Sequence, residues 1–117
     1  MDWSKRTAQL LGRFQPWHQG HTELFKRALH EVGQVAILLR HQDGSEKDPY
    51  NSDQRSQQII LALQKENFYE GEHFIIMPVP NIAQVAYGRE VGYGFQCYRM
   101  SMDIESISAT KIRNKEE

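Results

Sequence analysis

The fold of this chain is decided by the stretch Gly12-Arg13-Phe14-Gln15-Pro16-Trp17-His18-Gln19-Gly20-His21. Apolar residues over 8–11 precede this stretch, and an amphipathic pattern over 21–32 follows it. This order predicts a strand, a tight loop and a helix. We expect Gly12 to let the backbone turn close to a ligand. If the helix begins near Gln19, its start carries roughly half a positive charge. Two imidazoles beside it would complete an anion site.

The alternation of strand and helix continues along the chain. The predicted strands are 7–11, 35–39, 74–79 and 104–107, and the predicted helices are 21–32 and 52–65, with a first helical turn over 108–113. Gly33 would end the first helix. Asn51 or Ser52 would cap the second helix, with Gln54 at capping-box spacing from Asn51. Residues 82–87 fit either a helical turn or a strand, and the glycines and aromatic residues after them favour a loop.

This pattern predicts an α/β protein, namely a Rossmann-like open parallel sheet with helices on both faces, in a single domain over 1–117. Ligands of such sheets bind beyond the carboxyl ends of the strands. The loops that meet this criterion are 12–21, 40–51 and 106–113.

Composition excludes several classes of partner. The chain has 117 residues and a net charge of −1, with no block of like charges, so neither a nucleic-acid surface nor a membrane surface is indicated. No apolar run is long enough to span a bilayer. The single cysteine, Cys97, cannot form an internal disulfide, and the N-terminus lacks the apolar run of a signal peptide. We therefore expect a cytoplasmic location.

Three motifs resemble one family. The segment His18-Gln19-Gly20-His21 matches the His-x-Gly-His signature of a nucleotidyltransferase superfamily, and the longer stretch from Gly12 is most similar to its nicotinamide-mononucleotide adenylyltransferase branch. The segment Ile107-Ser108-Ala109-Thr110-Lys111-Ile112-Arg113 is similar to the second signature, Ile-Ser-x-Thr-x-x-Arg. The segment Pro49-Tyr50-Asn51-Ser52-Asp53-Gln54-Arg55 resembles the opening of the family's second helix. The three occur in the family's order.

The resemblance implies an enzyme that moves a nucleoside monophosphate from a nucleoside triphosphate to a phosphate-bearing small molecule, with release of pyrophosphate. The first motif favours ATP as the donor. Two alternatives stay open: cytidylyl transfer from CTP to a phospho-alcohol, and a nucleotide-binding module without turnover. The resemblance also implies Mg²⁺ bound with the triphosphate, no metal-ligating residues in the protein, and a homo-oligomer.

The resemblance also implies roles for individual residues. As catalytic residues, His18 and His21 would donate to the triphosphate and to charge building at the α-phosphorus, Lys47 (or Arg40 in its place) would lie against the α-phosphate, and Arg113 would neutralise the pyrophosphate. The implied nucleotide-binding residues are Gly12, Arg13, Phe14, Gly20, Ser108 and Thr110. The implied acceptor-binding residues are Trp17, Arg40, Tyr87 and Arg89.

Simpler interpretations accompany these roles. The two histidines also have the spacing of a metal pair or could be ordinary surface residues, although no third ligand follows at a suitable spacing. The cationic residues also fit solvated surface positions; they are Arg40, Lys47, Arg89 and Arg113. The aromatic residues over 87–98 fit the core or a subunit contact better than a platform for base stacking. Trp17 stands where the family more often has phenylalanine or a smaller residue.

Overall fold

Three strands and two helices alternate in the computed structural model, which describes residues 1–41, 50–88 and 94–95. They are β1 (Ala8–Gly12), α1 (Gln19–Val32), β2 (Val35–Arg40), α2 (Ser52–Gln64) and β3 (Phe74–Val79). The predicted strand over 104–107 and the predicted helical turn over 108–113 lie outside the described residues. Residues 82–87 form neither a helix nor a strand. Because residues 83–87 are exposed, packing against the core favours neither a helix nor a strand there.

The strands form a parallel sheet in the order β1-β2-β3. Leu10, Ile37 and Ile76 stand side by side in its register. The central strand β2 alternates buried with half-buried residues, which its unbroken apolar sequence could not reveal. Parallel neighbours need a crossover, and each helix supplies one. The α/β class with an open parallel sheet is therefore confirmed.

Both described helices pack on the same face of this sheet. One cluster of buried side chains joins Phe25 and Ala28 of α1 and Ile59 and Leu63 of α2 to strand residues that all point to one side. Those strand residues are Leu10, Val35, Ile37, Leu39 and Phe74. The chain moves across the sheet in one direction, from β1 to β2 to β3, and both crossovers are right-handed. This combination places both helices on the same side of the sheet. The expected helices on both faces are therefore not found within the described residues.

The ends of the elements differ from the predicted ones by one or two residues. Helix α1 begins at Gln19, two residues before the predicted start, because the His18 side chain serves as its N-cap. Gly33 ends α1 as predicted, with φ at 110° and its N–H bonded to the Leu29 carbonyl at 2.8 Å. Asn51 and Gln54 cap α2 reciprocally, as their spacing predicts. Neither described helix has the length and apolar character needed to cross a bilayer.

Candidate functional site

The loop between β1 and α1 lies at the carboxyl edge of the sheet, where open parallel sheets bind their ligands. Its residues 13–18 are called the motif loop here. The carboxyl end of β2, at Arg40, ends at the same edge because the strands are parallel. Helix α2 also begins at this edge, directly after Tyr50 and Asn51. The structure therefore brings together the first motif and the segment that opens the second helix.

His18 and His21 cap the helix that they begin. The His18 Nδ1 accepts from the Gly20 backbone N–H at 3.0 Å, and the His21 Nδ1 accepts from the His18 N–H at 3.1 Å. This is a capping box in which two imidazoles replace the usual hydroxyl and carboxylate. The two ring planes are tilted by 31° to each other, with centroids 3.8 Å apart. The predicted juxtaposition of the two histidines is present.

This capping fixes where the ring protons lie. A nitrogen that accepts a hydrogen bond carries no proton, so each neutral ring must hold its proton on Nε2. Each Nε2–H is then a hydrogen-bond donor on the opposite side of the ring from the helix backbone. The pair can therefore present two N–H donors to an anion, such as the oxygens of a phosphate chain.

The surroundings of the pair favour the uncharged rings. Phe14 lies edge-on to His21 at a centroid distance of 5.0 Å, and Trp17 lies 5.2 Å from it. Burial, and secondarily the charge that His18 can carry, lower the pKa of His21 to about 3. Burial also lowers the pKa of His18. Both rings are thus neutral donors near pH 7 when no anion is bound.

Backbone donors of α1 take a smaller part in this anion site than the sequence predicts. The Gly20 N–H already donates to the His18 ring. The N–H groups of His21 and Thr22 donate to the His18 carbonyl at 2.9 and 3.1 Å. These three groups are satisfied within the helix start. The imidazole Nε2–H groups are therefore donors that the head of α1 offers beyond these three backbone groups.

Gly12 has a packing role in addition to the predicted one, which stays a prediction. The space that its side chain would fill holds the Phe14 ring, whose Cε1 and Cζ would both lie 2.9 Å from a Cβ built there. Phe14 itself has φ at 51°, a left-handed conformation that is uncommon for a bulky residue. The missing side chain of Gly12 therefore makes room for the Phe14 ring, and Phe14 can offer a ligand only its backbone, since its side chain is buried.

The predicted acceptor residues are placed as follows. Trp17 belongs to the core, and its indole N–H donates to the Thr22 hydroxyl at 2.8 Å. Arg40 ends β2, and its side chain lies on the opposite face of the sheet from Leu39. Its Nε is buried and has no hydrogen-bond partner among the residues that the structure describes. Tyr87 and Phe95 are exposed, with their rings 5.5 Å apart, so of the two predicted alternatives, core or subunit contact, the core is wrong for this pair and the subunit contact stays a prediction. The acceptor roles stay predictions.

Two further residues hold the site together and received no role from the sequence. Gln15 is fully buried and bonds both the N–H and the carbonyl of Tyr50. Arg55 is 2% exposed and bonds three backbone carbonyls. A signal for Arg55 is its spacing, since it stands four residues before Ile59 and eight before Leu63, on the buried face of α2.

The other predicted site residues lie outside the described residues; they are Lys47, Arg89, Ser108, Thr110 and Arg113. Within residues 1–41, 50–88 and 94–95 there is no group of three or more His, Cys, Asp or Glu side chains arranged to hold a metal ion.

Comparison with known proteins places the chain among nucleotidyltransferases. A family model described as cytidylyltransferase-like matches residues 10–91. The chain is similar to a nicotinamide-nucleotide adenylyltransferase of Picrophilus torridus, at 35% identity over 77 residues, which cover 64% of this chain and 44% of that protein. It is also similar to one from Caldivirga maquilingensis, at 39% identity over 74 residues, covering 62% and 41%. The chain thus matches less than half the length of these curated relatives.

Solved structures agree with this placement. A bifunctional NMN adenylyltransferase/ADP ribose pyrophosphatase from Francisella tularensis superposes with a TM-score of 0.60 at 28% identity, covering 65% of this chain and 22% of that one. A second structure of that description, complexed with AMP and an Mn ion, gives a TM-score of 0.56 at 26% identity, covering 65% and 23%. The family model, which begins at Leu10, covers the motif loop.

Proposed function

The chain belongs to the cytidylyltransferase-like family, and we propose that it transfers an adenylyl group from ATP to a phosphate-bearing nucleotide, with release of pyrophosphate. The observation that carries this proposal is the imidazole pair at the head of α1, with both Nδ1 atoms occupied by backbone donors. The names of the relatives support adenine as the base and nicotinamide mononucleotide as the acceptor.

The reaction exchanges one phosphoanhydride bond for another. A phosphate oxygen of the acceptor attacks the α-phosphorus of ATP, and the bond from the α-phosphorus to the oxygen bridging to the β-phosphorus breaks. Negative charge grows on the α-phosphate oxygens and on the departing pyrophosphate. Such transfers need in-line positioning and donors around these oxygens more than covalent help. His18 and His21 supply the donors, because each can present an Nε2–H without changing its protonation state.

The remaining roles follow the family resemblance. Gly12, Arg13 and Phe14 would run along the nucleotide by their backbone, and the Arg13 side chain could reach a phosphate. Ser108 and Thr110 would hold the β- and γ-phosphates, and Arg113 would neutralise the leaving pyrophosphate. Lys47 would stand against the α-phosphate.

Magnesium would arrive as part of the substrate, bridging the phosphates of ATP. The donor set of the described site supports this division, because imidazole Nε2–H groups and backbone N–H groups bind anions and do not ligate cations. The homo-oligomer and the cytoplasmic location also stay predictions.

The experiment measures pyrophosphate release by the full chain. ATP, CTP, GTP and UTP are each supplied with Mg²⁺ and with either nicotinamide mononucleotide or a phospho-alcohol such as glycerol 3-phosphate. The proposal expects release with ATP and nicotinamide mononucleotide only. Release with CTP and the phospho-alcohol would instead favour the cytidylyltransferase alternative. The description of the matching family as cytidylyltransferase-like is the reason for testing this alternative. Triphosphate binding without release would favour a binding module, and no binding at all would refute the proposal.

A further inference from the structure

Arg55 joins three separate parts of the chain beneath the site. Its Nη1 donates to the Arg13 carbonyl at 2.8 Å and to the Arg40 carbonyl at 2.9 Å, and its Nε donates to the Asn51 carbonyl at 3.3 Å. These carbonyls belong to the motif loop, the end of β2 and the N-cap of α2. A planar guanidinium can serve several acceptors at once in fixed directions. One side chain therefore sets the relative positions of all three segments.

Gln15 makes a second connection between the same regions. Its Nε2 donates to the Tyr50 carbonyl at 2.7 Å, and its Oε1 accepts from the Tyr50 N–H at 2.9 Å. The amide thus pairs with one backbone residue in both directions, as a neighbouring strand would. Tyr50 directly precedes the cap of α2, and Gln15 stands three residues before His18. The motif loop is therefore fastened at two points to the segment that leads into α2.

From these contacts we infer that Gln15 and Arg55 form a buried latch that positions His18 and His21 for the reaction. Neither latch residue is placed to react: both are buried, and the hydrogen bonds described above join them to backbone atoms. They act through the backbone of the motif loop, whose far end carries His18 and leads directly into α1, where His21 lies. The inference rests on the proposed function for its effect on turnover, but its effect on the histidine rings can be observed without turnover.

Gln34 makes bonds of the same kind as Gln15 in another part of the chain, so its substitution is a matched control for that of Gln15. Gln34 is likewise a buried glutamine that ties distant backbone, since its Oε1 accepts from the Asp2 N–H at 3.2 Å and its Nε2 donates to the Asp2 carbonyl at 2.7 Å. It directly precedes β2 and so lies at the amino edge of the sheet, opposite the site. Removal of either amide breaks buried backbone bonds, but only Gln15 contacts the site.

The test compares Gln15→Met with Gln34→Met in the full chain. Methionine keeps the length and flexibility of the side chain and removes the amide. We expect both variants to unfold at lower urea concentration than the wild type. Only Gln15→Met should lower kcat, by about 10- to 100-fold, the size expected when catalytic groups are misplaced. KM should change less, because the latch contacts no substrate. Equal kcat in the two variants would overturn the inference.

A second readout separates this inference from the proposed function. Long-range ¹H–¹⁵N spectra of the imidazoles report the tautomer of each ring. In the wild type, His18 and His21 should appear as the Nε2–H form, and Gln15→Met should mix the tautomers while Gln34→Met leaves them unchanged. If the wild type released no pyrophosphate with any triphosphate, the proposed function would fail and these spectra would still decide on the latch. Unaltered His18 and His21 signals in Gln15→Met would overturn it.

Arg55→Lys gives an independent check, with the exposed Arg27→Lys as its control. Lysine keeps the positive charge but replaces the planar fork by a single ammonium group, which cannot reproduce the same set of directed bonds. We expect Arg55→Lys to shift the imidazole spectra and lower kcat in the manner of Gln15→Met. Wild-type spectra and kcat in Arg55→Lys would show that the guanidinium does not position the histidines.

Discussion

At the scale of single residues, the chemistry depends on where the protons of two imidazoles lie. Histidine is not among the residues preferred at an N-cap. The His18 Nδ1 nevertheless accepts a backbone hydrogen bond at the helix start, as a serine hydroxyl usually does. The same bond that begins α1 therefore selects the tautomer that the proposed reaction needs. Folding and the proposed function share one interaction here, so a variant must separate them to be informative.

The depressed pKa of His21 predicts how stability depends on pH. The pKa is about 3 in the folded chain and about 6.5 when unfolded, so between these values the unfolded chain binds the extra proton. The stabilising contribution of the neutral ring is complete above pH 6.5 and is lost as pH falls toward 3. We expect the loss to reach at most about 1.4 kcal/mol per pH unit.

Urea unfolding at a series of pH values between 7.5 and 4.5 measures this dependence. His21→Gln is the matched variant, because glutamine at this position of a capping box still accepts from the N-cap backbone and does not titrate. Its stability should fall less steeply with decreasing pH than that of the wild type. Identical slopes for the two proteins would mean that His21 is not the residue responsible.

Gly12 makes a prediction of its own. A methyl group at this position would press against the Phe14 ring at 2.9 Å, so Gly12→Ala should destabilise the chain by about 1–3 kcal/mol, the usual cost of overpacking. Gly88→Ala is the control, since nothing lies within 4 Å of a Cβ built there. Thermal unfolding compares the two. A similar melting temperature for both variants would show that the ring yields at no cost.

At the scale of elements, much of the fold could be predicted because apolar periodicity marks strands and helices directly. The sequence predicted β3 to the residue, and Asn51 and Gln54 as the cap of α2. The buried roles of Gln15 and Arg55 could not be read in this way, because their polar side chains are buried by hydrogen bonds to distant backbone. The role of Gly12 was likewise hidden, since it depends on the unusual φ of Phe14.

The cap of α2 carries a prediction at this scale. Asn51→Ala removes the acceptor for the Gln54 N–H, now at 2.8 Å, and should cost about 0.5–2 kcal/mol of stability. Asn51→Asp keeps an acceptor oxygen in the same place and should therefore retain most of the stability that the cap contributes. Both are measured by urea unfolding at pH 7. If Asn51→Asp lost as much stability as Asn51→Ala, the cap would not be what stabilises the helix start.

At the scale of the whole molecule, the described sheet has two unlike faces. One carries both helices, and the other leaves Leu11 and Met77 more than a third exposed. Substitution of two adjacent leucines of β2, one on each face, compares how much packing on each face stabilises the chain. Leu39→Ala, on the helix face and fully buried, should cost about 2–5 kcal/mol. Leu38→Ala, on the other face and half-buried, should cost clearly less.

Urea unfolding of the two variants at 25 °C makes this comparison. The two substitutions remove the same atoms from neighbouring positions of one strand, so intrinsic strand propensity cancels. Equal losses would mean that the face opposite the helices is packed as closely as the core.

The central claim is that His18 and His21 carry nucleotidyl transfer, and His18→Asn tests it most directly. Asparagine is a good N-cap, so this variant keeps the acceptor for the Gly20 N–H and loses the imidazole donor. His30→Asn, at the exposed last turn of α1, is the control. We predict unfolding near that of the wild type for both, with kcat for pyrophosphate release about 10²- to 10³-fold lower in His18→Asn only. A folded His18→Asn protein with the wild-type kcat would contradict the claim.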